Sequence, residues 1–136
     1  MSFLVPPPAR TVLSYGTFDG LHTPETHHLA AIARLGREII VGCASDTYCA
    51  AIGQSPRMPF LQRRALLQSC RYVSRVITQD CASQMHTDIV NYNVDILVMG
   101  AEYTGLLDDL GCLTQVIYLP QPLERQPRSL PLALAG

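Results

Sequence analysis

The sequence predicts a three-layer α/β domain of the Rossmann type, with a mainly parallel five-stranded sheet covered by helices on both faces. Apolar runs of strand length alternate with helical stripes along the chain, the pattern of a parallel sheet joined by crossover helices. The runs are almost continuously apolar, as strands buried on both faces require. At 136 residues and 48% hydrophobic content the chain suits one core and leaves no room for a second full domain.

The elements follow in order. Residues 1–10 form an arm around Pro6-Pro7-Pro8, extended by its prolines. Thr11 to Tyr15 is β-rich and ends at Gly16, so it reads as a strand feeding a loop. Thr23 suits a helix cap, with Pro24 at the first position and Glu25 in the first turn. Leu29, Ala30, Ile32 and Ala33 continue that helix until Gly36. Glu38 to Ala44 is a second strand. Asp46 to Met58 holds Gly53 and Pro56 and reads as mostly loop. Pro59 opens another helix, with Phe60, Leu66, Leu67 and Cys70 toward the core and Gln62, Arg63 and Arg64 elsewhere. Arg75 to Thr78 is a short strand, Thr87 to Tyr92 a short helix, and Asp95 to Met99 a strand closed by Gly100. Gly105 to Leu110 is a weak helical turn and Gln115 to Leu119 the last strand. The α/β domain thus runs over residues 11–120, and residues 121–136 form a proline-rich tail.

Composition removes several functions. Ten basic residues against eleven acidic ones leave a net charge of −1, so no basic field exists for nucleic acid or a membrane surface. Every basic residue is arginine, which excludes chemistry that needs a lysine ammonium. The five cysteines are odd in number and form no C-x-x-C pair, which points to the cytoplasm and to small apolar fillers. No signal peptide is expected, and no run approaches the ~20 apolar residues that span a membrane.

In such folds ligands bind beyond the carboxyl ends of the strands. Gly16-Thr17-Phe18-Asp19-Gly20-Leu21-His22, the turn at Ala44–Asp46, and Gly100-Ala101-Glu102-Tyr103 leave those ends. The first joins a strand, a glycine-bearing loop and a helix start, where free N–H groups and the helix dipole favour phosphate. It is neither G-x-G-x-x-G nor a P-loop. On these residues alone, a phosphate pocket and a plain strand–helix turn both remain open.

Tyr15–His22, Y-G-T-F-D-G-L-H, resembles the opening motif of the cytidylyltransferase-like nucleotidyltransferases, G-T-F-D, two residues, then H-x-G-H. Cys70–Ile77 is similar to the family's R-Y-V-D-x-V, Asn93–Gly100 to its D-x-x-V-M-G strand, and Val116–Pro120 to the strand before its closing motif. The resemblance spans about Thr11 to Pro120. It implies transfer of CMP, or AMP, from CTP, or ATP, to a small phosphorylated acceptor with release of pyrophosphate, usually with Mg2+. It implies that His22 and Arg71 serve catalysis. Gly16, Thr17, Phe18, Asp19, His22, Glu25, Arg71, Gly100, Glu102 and Tyr103 would line the nucleotide, and Asp46 and Arg63 the acceptor. It also implies a homodimer.

The match is broken in three places. H-x-G-H reads His22-Thr23-Pro24-Glu25 here. Proline removes an N–H donor, and a carboxylate about 4 Å from a phosphate charge costs roughly 4 kcal/mol at an effective dielectric near 20. Two rescues stand open: Glu25 could carry the metal, which would turn repulsion into bridging, and His28, one turn on, could reach back to that helix end, since helical side chains lean toward the N-terminus. Otherwise His27 and His28 read as a solvated or partly buried face. Lysines that family members bring to a glycerol phosphate read as Ile52 and Met85, with Arg57 nearby. The Ser/Thr-rich closing motif is replaced by Gln121–Ser129, where Arg125, Arg128 and Ser129 are the remaining polar candidates. Two other readings therefore stand beside the enzyme: a nucleotide-binding regulator without activity, and a protein-interaction module.

Overall fold

The computed structural model describes residues 9–120. The arm up to Pro8 and the tail from Gln121, with Arg125, Arg128 and Ser129, lie outside the described residues.

Five parallel strands form one sheet: β1 (Thr11–Gly16), β2 (Glu38–Ala44), β3 (Arg75–Gln79), β4 (Ile96–Gly100) and β5 (Gln115–Leu119). Their order is β3-β2-β1-β4-β5. Helices α1 (Thr23–Ala33), α2 (Asp46–Ala51), α3 (Phe60–Gln68) and α4 (Gln84–Asn91) supply the crossovers, and 3-10 turns at Ala101–Tyr103 and Asp108–Cys112 join β4 to β5. The chain starts at the centre, steps outward to β3, then returns across β1 to β4. That reversal opens a crevice at the carboxyl ends of β1 and β4.

Strand alternation builds two cores, one on each face. Val12, Val41, Cys43 and Val98 pack with Leu29 and Ile32 of α1 and Leu67 of α3. Leu13, Tyr15, Ile40 and Leu97 face the other way, onto Met85 and Ile89 of α4. Gly42 is required by this second core. A Cβ there would stand 2.3 Å from Cδ1 of Tyr15, whose ring fills the space a side chain would need. Tyr15 is in turn fixed by its hydroxyl, which donates to Asp88 of α4 at 2.7 Å.

The strands β2 and β5 have the boundaries expected of them, β1 and β3 run one residue further at their carboxyl ends, and β4 is shifted by one residue at both ends, to Ile96–Gly100. The helices differ more. Asp46–Ala51, expected to be loop, is helical because Ser45 caps it, its Oγ accepting from Tyr48 N at 3.0 Å. The cap of α1 is His22 rather than Thr23. Helix α4 begins at Gln84, three residues early, because the Gln84 side chain accepts from the N–H groups of Asp80 and Cys81. Among the described residues no helix is long and apolar enough to cross a membrane.

Candidate functional site

The crevice walls follow from the register. Ser14 pairs with Val98, so Gly16 and Gly100 end their strands level with each other. Beyond Gly16 the chain turns sharply. Phe18 takes φ 52, a left-handed conformation that is costly for an aromatic residue. Its ring lies against Gly16, where a Cβ would meet Phe18 Cε2 at 2.6 Å. Gly20 has φ 120, and its bare Cα sits under the imidazole of His22. The loop is thus held in one shape, with an exposed histidine at its end.

Its anchors come from the chain around it. Thr17 Oγ1 donates to Gln54 Oε1 at 2.5 Å. The Asp19 carboxylate accepts from the N–H groups of Arg57 and Met58 at 2.8 and 2.9 Å. Asp19 therefore ties the loop to residues 57–58, and both its oxygens are engaged.

Arg63 departs from its expected place. Read as lying off the core side of its helix and as an acceptor contact, it is 0% exposed. Its guanidinium donates to Met58 O at 2.9 Å, Thr17 O at 2.9 Å and Ala44 O at 2.7 Å, and pairs with Asp46 at 2.7 Å. Burial of the charge is tolerated because these acceptors collect around it. Arg63 fastens the β1–α1 loop to the end of β2 and to the start of α3. Asp46 completes the knot by accepting from Phe60 N at 3.1 Å. That backbone donor first, and Arg63 second, hold the Asp46 carboxyl below its usual range.

Arg71 is also displaced. It precedes β3 and so lies at the amino end of the sheet, opposite the crevice, with its guanidinium 5.0 Å from the Tyr72 ring centroid. A parallel sheet keeps its amino and carboxyl ends apart, so within the described chain Arg71 does not join His22.

Glu25 is half-buried at the start of α1. With His22 it forms a capping box, in which Glu25 Oε1 accepts from the His22 backbone N–H at 3.0 Å. The carboxylate thereby occupies the helix end that an anion would seek. Across the crevice, Glu102 is exposed and Tyr103 half-buried. Burial first, and Glu102 second, push the Tyr103 hydroxyl up to about 12, so it stays a neutral donor at physiological pH. Met85 is core, 4% exposed, and Ile52 caps the end of α2. Sequence reasoning missed Gln54 and Met58, whose partners are distant in the chain. It also missed Ser45, which the Ser45-Asp46 cap signal gives.

The described residues build no resident metal site. Among the described residues no three His, Cys, Asp or Glu side chains converge. The carboxylates of Asp19 and Glu25 are taken by backbone N–H groups. Buried Cys43 is raised to about 11 by desolvation, which keeps it a thiol.

Comparisons with known proteins bear on the family and the fold. The cytidylyltransferase-like family model matches residues 13–129. Glycerol-3-phosphate cytidylyltransferase of Bacillus subtilis strain 168 is 31% identical over 112 residues, covering 82% of this chain and 87% of that protein. FAD synthase of Thermoplasma volcanium is 27% identical over 113 residues, covering 78% of this chain and 79% of that protein. In the solved structures, the lipopolysaccharide core biosynthesis protein of Thermoplasma volcanium GSS1 superposes with a TM-score of 0.70 at 24% identity, covering 82% of this chain and 97% of that one. That likeness bears on the fold.

Proposed function

The chain belongs to the cytidylyltransferase-like family, a family of nucleotidyltransferases, and on that premise we propose that it transfers CMP from CTP to a small phosphorylated acceptor. An acceptor phosphate oxygen attacks the α-phosphorus, the bond to the bridging oxygen breaks, and pyrophosphate leaves. The protein forms no covalent bond. CTP is preferred because two relatives at 31% and 32% identity are named cytidylyltransferases, and ATP is the alternative nucleotide.

The observation that carries the reading is the crevice at the strand reversal, walled by the fixed 16–22 loop and by Gly100–Tyr103. The loop backbone and His22 would hold phosphate oxygens, and the Tyr103 hydroxyl would donate toward the nucleoside. Catalysis then rests on positioning and on donors aimed at the charge that develops. Magnesium would enter bound to the triphosphate, as part of the substrate. The acceptor would lie over the ends of β2 and β3, where Asp46 and Arg63 shape the wall without touching it. With no lysine in the chain, the acceptor phosphate would be held by arginine and backbone N–H groups.

The protein would work as a homodimer, and light scattering at micromolar concentration tests this against the monomer mass. One observation favours a second reading, nucleotide binding without transfer: Glu25 holds the His22 N–H. Pyrophosphate release from CTP and ATP, assayed across a panel of phosphorylated alcohols, sugars and nucleotides, separates the two. Turnover with any acceptor supports transfer. Saturable nucleotide binding with no pyrophosphate from any of them supports the second reading.

A further inference from the structure

One buried group is left unused by this site. His28 of α1 is 9% exposed, against the solvated or partly buried face expected of it. Burial lowers its pKa, which keeps the ring neutral at neutral pH. Among the described residues no hydrogen bond reaches either ring nitrogen. A buried polar ring without a partner costs stability, and an ion or ligand that supplies the missing partner is one of the ways such a group is accounted for.

The position says which partner. His28 follows Glu25 by three residues and is buried with Leu29 and Ile32. Helical side chains lean back over the preceding turn, which here is Pro24–Glu25. The rise from Glu25 to His28 is about 4.5 Å, within reach of an imidazole. That turn is poor in free donors. Pro24 has no N–H, the His22 N–H is held by Glu25, and the Thr26 N–H is spent on His22 O at 3.0 Å. The Glu25 N–H is shared with the His22 side chain in the capping box, which leaves the Thr23 N–H as the backbone donor at this end. An anion approaching it gains from a further donor, and the buried ring of His28 is a side-chain donor without a hydrogen-bond partner among the described residues.

We propose that His28 is a phosphate-binding side chain: its ring N–H takes an oxygen of the nucleotide's polyphosphate as that charge drives Glu25 off the His22 N–H. This rests on the nucleotide reading above. Two donors then replace one carboxylate at the helix end, the His22 backbone N–H and the His28 ring.

The test uses the full chain, with CTP and inorganic pyrophosphate titrated calorimetrically into wild type, His28→Leu and His28→Gln. Thermal unfolding is followed in parallel. His28→Leu is expected to melt at or above the wild-type temperature, since it removes an unpaired polar group. It is also expected to lose at least about tenfold in affinity for both ligands, the effect of one hydrogen bond to a charged group. His28→Gln keeps a donor and recovers part of that affinity. Wild-type affinity in a folded His28→Leu overturns the proposal and leaves the nucleotide reading intact. A wild type that binds neither ligand overturns both. Should His28→Leu fail to fold, the imidazole resonances of wild-type His28 during a pyrophosphate titration decide, and no shift at saturation overturns the proposal.

Discussion

Replacing Arg63 by methionine removes the guanidinium while keeping much of the side-chain length. Three carbonyls lose their donor, those of Met58, Thr17 and Ala44. The Ala44 bond is buried, so its orphaned oxygen costs about 1–3 kcal/mol. The other two bonds are only part-buried, and water recovers some of each, leaving about 1 kcal/mol apiece. Asp46 contributes little, because its side chain is 58% exposed and its charge is re-solvated. The net loss is about 3 kcal/mol after the relief of no longer burying a charge. For a domain of this size that lowers Tm by roughly 10 °C. Lysine at 63 keeps the charge, but a single ammonium reaches only some of four acceptors, so about half the loss is expected. The assay is urea unfolding together with CTP titration. Affinity should fall with stability, because Thr17 and residues 57–58 lose their common tether. Arg63→Met within about 0.5 kcal/mol of wild type, with full CTP affinity, would refute the claim that this residue holds the loop.

Further outcomes follow from single contacts. Gly16→Ala drives a Cβ to 2.6 Å from the Phe18 ring, and Phe18 at φ 52 has little room to yield. A loss of about 1–3 kcal/mol by urea unfolding and weaker nucleotide binding are expected. Tyr15→Phe leaves the Asp88 carboxylate with Gln84 as its remaining side-chain partner. It should cost about 1–3 kcal/mol in the same assay. Asp46 titrates below an ordinary carboxyl because Phe60 N–H, then Arg63, favour its charged form. Its stabilisation is therefore complete above the unfolded carboxyl value near ~3.9 and fades as pH falls through the lower folded value. Asp46→Asn should lower Tm at pH 7 and flatten the Tm profile below pH ~4.

The sheet was legible because buried parallel strands announce themselves as apolar runs, and Glu38–Ala44 and Gln115–Leu119 needed nothing beyond their own residues. Helix α2 was hidden for the opposite reason. Its six residues carry no apolar period, and one serine cap makes it. Arg63 was unreadable because its burial depends on four acceptors from three separate segments, Thr17, Ala44–Asp46 and Met58, which only the fold brings together. Arg71 was placed by motif alone. Its position just before a strand already puts it at the amino end of a parallel sheet, away from any ligand at the carboxyl ends. Glu25 was seen as a repulsive charge, and its grip on the His22 N–H appeared only with the fold.

Whether the crevice at the ends of β1 and β4 takes a nucleotide decides what this protein does. The most direct measurement is calorimetric titration of CTP, then ATP, with magnesium into wild type and into His22→Ala. Saturable heat with one nucleotide in the wild type, abolished or weakened at least about tenfold in His22→Ala, is the expected result. No heat with either nucleotide at millimolar concentration, or equal binding in both proteins, would contradict it.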